Sequence, residues 1–87
     1  MFRIEDDIHA ELQEGAYTTF DEAMTELRRR ARLPWNETPN IPPCTSWRTC
    51  ERKYTIIEYD ESVDPWHELR RTPALSLSAK AVRWLPQ

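Results

Sequence analysis

Polar and apolar residues alternate from the second position onward. Phe2, Ile4, Ile8, Ala10 and Leu12 fall on one face of an extended chain, and Arg3, Glu5, Asp7, His9, Glu11 and Gln13 on the other. That period of two predicts a strand over 2–13. Asp6 is the one polar residue on the apolar face, the place for a bulge or for a strand divided in two. Gly15 then supplies the turn. The period changes at Thr18-Thr19-Phe20-Asp21-Glu22, where Thr19 and Glu22 have the spacing of a capping box. Phe20, Ala23, Met24, Leu27 and Ala31 follow at helical intervals, and Leu33-Pro34 ends the run, which predicts a helix over 19–32.

Pro34, Pro39, Pro42 and Pro43 then exclude regular helix or central strand, so 34–50 reads as a long irregular loop. Arg52 to Tyr59 resumes the alternation with apolar residues on both faces, the mark of a central strand over 52–59. Asp64-Pro65 is placed to start a single helical turn through Leu69. The segment 74–85 predicts either one strand with a bulge or a hairpin broken at Ala79-Lys80. Together these elements predict an α+β domain over 1–87. Its sheet has three or four antiparallel or mixed strands, with one main helix packed on one face and a long proline-rich loop.

Composition narrows the function. A single glycine in 87 residues excludes glycine-rich phosphate loops and a nucleophile elbow. No apolar run approaches the roughly 20 residues of a membrane span. The formal net charge of −3 removes the usual electrostatic reason to expect nucleic acid or anionic lipid as a partner. The charge is nevertheless segregated, with five acids against Arg3 in the first fourteen residues and Arg28, Arg29, Arg30 and Arg32 at the helix end. The first residues carry no signal-peptide pattern, which predicts a cytoplasmic, reducing setting.

Candidate chemistry is sparse. Cys44-Thr-Ser-Trp-Arg-Thr-Cys50 is too widely spaced for a thioredoxin-type pair, and no second pair is present for a structural zinc site. The expectation is that both cysteines are thiols serving as small apolar residues at the loop's base, with no metal and no cofactor. A disulfide closing so short a ring adds roughly 2 kcal/mol by chain entropy if the setting is oxidising. His9 and His67 lie far apart in unrelated contexts, and His9 among Glu5, Asp7 and Glu11 reads as the charged outer face of an edge strand. Ser62, His67 and the nearby acids lack a nucleophile turn.

No complete catalytic set is visible, so the chain is read as a non-enzymatic module that binds an unidentified protein partner through the 34–50 loop. Trp35, Trp47 and Arg48 are its expected anchors, with Arg28, Arg29 and Arg32 as a basic rim. One alternative is a small nucleic-acid binder using the same arginines with Trp35 and Trp47 as stacking surfaces. Another is a metal- or redox-linked module working through Cys44 and Cys50.

The runs Leu33-Pro34-Trp35, Pro43-Cys44-Thr45-Ser46-Trp47-Arg48-Thr49-Cys50 and Tyr54 through Ile56-Ile57-Glu58-Tyr59-Asp60 resemble a pattern in short uncharacterised bacterial proteins. The resemblance extends to the terminal Leu75–Trp84 segment. It implies a stand-alone bacterial cytoplasmic domain and brings no activity, ligand or catalytic residue.

Overall fold

A computed structural model describes residues 1–44 and 50–86. One helix packs on one face of a five-stranded, wholly antiparallel sheet. The elements are β1 (Phe2–Asp6), β2 (Glu11–Leu12), α1 (Phe20–Ala31), β3 (Glu51–Asp60), β4 (His67–Ser78) and β5 (Val82–Trp84), and the strand order is β2-β1-β3-β4-β5. The centre of the sheet belongs to β3, in keeping with its two apolar faces.

Five strands exceed the three or four expected, and the extra one comes from the first alternation. That segment breaks after Asp6, turns through 7–10 and returns as β2, pairing Glu5 with Leu12 and Asp6 with Glu11. Asp6 itself makes the turn, because its carboxylate accepts from the Ile8 amide at 3.1 Å, the local bond that short acidic side chains form in turns. A second difference lies at Asp64-Pro65, where no helical turn forms and β4 begins at His67. Its partner β3 already offers a ten-residue edge, and pairing along it satisfies more backbone than a single turn would. Of the two readings of 74–85, the hairpin is the one adopted. The chain reverses after Ser78, and β5 pairs Trp84 with Leu75 and Val82 with Leu77.

Pro73 lies inside β4, where a proline is tolerated because the pairing slips: the register shifts between Tyr54 and Thr55, and Ala74 becomes the extra residue. That slip turns Ala74 into the core beside Leu75 and Leu77.

α1 begins at the expected N-cap, with the Thr19 side chain accepting from the Glu22 amide at 3.1 Å, while the Glu22 carboxylate accepts from the Thr18 hydroxyl. Ala23 and Leu27 bury its apolar stripe against Ile4, Tyr54, Ile56, Leu75 and Leu77. Glu26, on the flank, receives both Arg29 (2.7 Å) and Arg30 (2.6 Å). The Arg29 hydrogen bond and, after the opposing effect of burial, that from Arg30 hold the Glu26 carboxyl below its ordinary value. A carboxylate with a lowered folded-state pKa stabilises the fold above the unfolded value of 4.5, and that contribution disappears as pH falls through the folded value. Glu26→Gln is therefore expected to lower stability by about 1 kcal/mol at pH 7. The difference from wild type should shrink towards zero at pH 3, as read by urea denaturation at both values.

Polar contacts tie the loop leaving α1 to the helix and to β3 at Asn40 and Ile41. Asn40 is 1% exposed. Its amide nitrogen donates to the Arg30 carbonyl at 2.8 Å and its oxygen accepts from the Tyr54 hydroxyl at 3.0 Å. Burial pushes the Tyr54 phenol above its ordinary value, and the Arg30 guanidinium lies 5.0 Å from its ring centre. No helix among the described residues is long and apolar enough to cross a membrane.

Candidate functional site

The turn made by Asp6 carries His9 to the start of β3, where the loop also delivers its cysteines. Asp6 is fully buried and meets four groups. Its Oδ2 accepts from Arg52 Nη1 at 2.9 Å and lies 2.5 Å from His9 Nδ1, while its Oδ1 accepts from the Ile8 and Lys53 amides at 3.1 and 3.3 Å. A carboxylate of that kind fixes an imidazole in one orientation, with the proton on Nδ1 and Nε2 facing away. Nε2 lies 3.0 Å from Cys44 Sγ and 3.2 Å from Cys50 Sγ.

Cys44 and Cys50 are bonded to each other, with Cα atoms 6.6 Å apart. They are therefore not the free apolar fillers expected of them. Both are partly exposed, and the imidazole beside them gives each sulfur a polar neighbour. A disulfide sulfur only accepts hydrogen bonds, whereas a thiol also donates one. With Nδ1–H held by Asp6, Nε2 accepts from a free thiol when the ring is neutral and donates to the bonded sulfurs only when the ring is doubly protonated.

Arg52 anchors the arrangement from behind. Its guanidinium donates to Asp6, to Glu11 Oε1 at 2.8 Å, and to the Asn40 and Ile41 carbonyls at 3.1 and 2.7 Å. One side chain thereby fastens the turn of His9, the strand β2 and the loop that leads to Cys44. The Glu11 carboxyl is held below its ordinary value, first by the hydrogen bond from Gln13 and then, against burial, by that from Arg52.

The other sequence candidates are scattered. Trp35 is half-buried and packs against the core, so part of its surface belongs to the fold. Trp47 and Arg48 lie outside the described residues. Arg29 is paired with Glu26, while Arg28 and Arg32 share a shallow hollow with Trp84. Arg30, at 4% exposure, is a core residue rather than part of a basic surface. The charged alternation dissolves as well: Glu5 and Asp7 bind Arg71 at 2.6 and 3.1 Å, and Glu11 binds Arg52. His67 pairs with Asp60 at the end of β3 opposite to Cys50, about 30 Å away by strand length, so a site of two cysteines and two histidines does not assemble. Ser62 bonds Asp60 at 2.6 Å and takes part in no triad among the described residues.

Sequence reasoning missed the partnership of Asp6 with His9 and Arg52. The signal was present in the apolar alternation, since an acid on the buried face must find a cation or a proton.

No family model, curated protein or solved structure matches the chain.

Proposed function

We propose that the chain is a thiol–disulfide module in which Cys44 and Cys50 pass between bonded and free sulfurs beside His9. The observation that carries this reading is the approach of a single imidazole nitrogen to both sulfurs, at 3.0 and 3.2 Å, with a buried carboxylate fixing the ring from the other side.

The reaction partner is a dithiol, on a protein or a small molecule. One of its thiolates attacks a sulfur of the pair, forming a mixed disulfide and expelling the other cysteine as a thiolate. In its doubly protonated form His9 holds a proton on Nε2 where it can pass to that leaving sulfur. The partner's second thiolate then attacks the partner sulfur of that mixed disulfide and expels the remaining cysteine of this chain, so two electrons and two protons have moved to this chain and the partner leaves as a disulfide. The fold is arranged to survive the change. The bond joins residues six positions apart, its loss costs roughly 2 kcal/mol by chain entropy, and the apolar cluster around Leu27 and Tyr54 contains neither cysteine.

A protein-binding loop has less support, because Trp35 packs on the core and Arg29 is already paired. Nucleic-acid binding loses Arg30 to the interior.

Equilibration in dithiol buffers of graded potential, followed by alkylation and mass measurement, tests the proposal. The expected result is a two-electron transition between zero and two alkylated cysteines, with circular dichroism unchanged. His9→Ala should exchange about 100-fold more slowly. A pair that never opens in the folded protein would overturn the reading, as would a His9→Ala variant that exchanges at the wild-type rate.

A further inference from the structure

We propose that the reduced centre is a zinc site, with His9 Nε2, Cys44 Sγ and Cys50 Sγ as ligands and Asp6 as the carboxylate that orients the imidazole. This rests on the reading above in one respect only: the two sulfurs must be free.

The three donor atoms already lie within 4.8 Å of one another. Tetrahedral zinc with sulfur at about 2.3 Å and nitrogen at about 2.0 Å sets N···S at about 3.5 Å and S···S at about 3.7 Å. From the present 3.0 and 3.2 Å, each N···S distance needs to open by only about half an ångström or less. The sulfurs must separate further. Their Cα atoms are 6.6 Å apart, so side-chain rotation provides most of the movement.

The donor chemistry selects the metal. Two thiolates and an imidazole form a borderline-soft set suited to zinc, and poorly suited to magnesium or calcium, which take oxygen. Two thiolates with a neutral imidazole also cancel the charge of a divalent ion, so the filled site adds no net charge beside the Asp6–Arg52 pair. Asp6 supplies the outer contact that ligating histidines usually have, at 2.5 Å on the ring nitrogen that the metal does not use. It is held in turn by Arg52 and by two backbone amides.

Among the described residues no fourth protein ligand of the usual kind is within reach. The sequence has no other cysteine, its second histidine is at the far end of β3, and positions 45–49 are Thr, Ser, Trp, Arg and Thr. Among the described residues no carboxylate joins the three donors. The fourth position therefore falls to water or to an exogenous ligand, the open type of site rather than the closed structural one.

Zinc and the disulfide exclude each other. When a hydroperoxide oxidises the filled site, the two thiolates give up two electrons and become the Cys44–Cys50 bond. The peroxide takes those electrons and two protons and leaves as water and an alcohol, or as two waters. One zinc ion is released for each bond formed.

The test uses the full chain, reduced without oxygen and shown by titration to carry two free thiols. Native mass spectrometry with added Zn2+ should give one zinc per chain in place of two protons, and Co2+ should give a thiolate-to-cobalt charge-transfer band. Cys50→Ser, which leaves the buried Asp6–Arg52 pair intact, should weaken binding at least about 100-fold, and His9→Ala at least about 10-fold. Peroxide should release one zinc for every two thiols consumed. If protein with two free thiols stays zinc-free, this proposal falls and the thiol–disulfide reading stands. Cobalt bound without the charge-transfer band, or zinc held equally by the oxidised chain, also overturns it. If the two thiols cannot be freed in the folded chain, both proposals fall together.

Discussion

Arg52→Met is expected to destabilise the protein by about 3–5 kcal/mol, the cost of leaving a buried charge without its partner. Asp6 is fully buried and the Arg52 side chain is 6% exposed, so solvent replaces little of what the substitution removes. Methionine matches the aliphatic stem and fills its volume, but all four hydrogen bonds of the guanidinium disappear. Against a total of roughly 4–13 kcal/mol for a domain of this length, such a loss brings a sizeable unfolded population. Arg52→Lys keeps the charge and loses the fork, so it should fall between wild type and Met. The double variant Asp6→Asn, Arg52→Met removes the orphaned charge and should recover part of the loss. Urea denaturation of the four proteins provides the comparison. A methionine variant within about 1 kcal/mol of wild type would show that Asp6 finds compensation elsewhere.

Asn40→Ala is expected to cost about 1–3 kcal/mol, with its effect concentrated on the loop. Its amide nitrogen donates to the Arg30 carbonyl at 2.8 Å and lies 3.3 and 3.4 Å from those of Leu33 and Pro34. Those are carbonyls at and just beyond the end of α1, where the Arg30 and Pro34 oxygens otherwise accept from the Leu33 and Glu37 amides, at 3.0 and 3.3 Å. Alanine removes the side-chain donor from these carbonyls and leaves the Tyr54 hydroxyl with the Pro39 carbonyl at 3.3 Å. Asn40→Asp, almost the same shape, should be worse still, since it aims a carboxylate at carbonyl oxygens. Tyr54→Phe removes one bond of the set, and a double-mutant cycle with Asn40→Ala should return a coupling of about 1 kcal/mol. Hydrogen exchange of the amides of residues 37, 40 and 41, which are hydrogen-bonded within the loop, reports it directly, and should accelerate in both Asn40 variants while the β3 amides stay protected.

The helix and the central strand were legible because each follows from a local rule. Thr19 with Glu22 states a helix start, and Ile56 beside Ile57 states burial on both faces. The N-terminal hairpin was half legible: alternation over 2–13 is compatible with one long strand or two short ones, and only the contact of Asp6 with its own turn decides. β4 was obscured by Pro65 and Pro73. The tolerance of Pro73 depends on a slip in pairing with β3 that no local pattern encodes. The centre was the least legible part. Its histidine and cysteines are 35 and 41 positions apart, and they meet only because β1 lies beside β3. A periodicity argument places His9 on a solvent face, since it has no means of knowing that the strand ends at Asp6.

The same separation has a consequence for the order of events in synthesis. A growing chain displays His9 early and the two sulfurs much later, and the buried pair that orients the imidazole needs Arg52 as well. Until β3 has been added and paired with β1, the sulfurs are two ordinary thiols on an open segment. The arrangement of His9 with the two sulfurs is thus absent from every incomplete or unfolded copy, and the chemistry proposed for it would belong only to molecules that have finished folding.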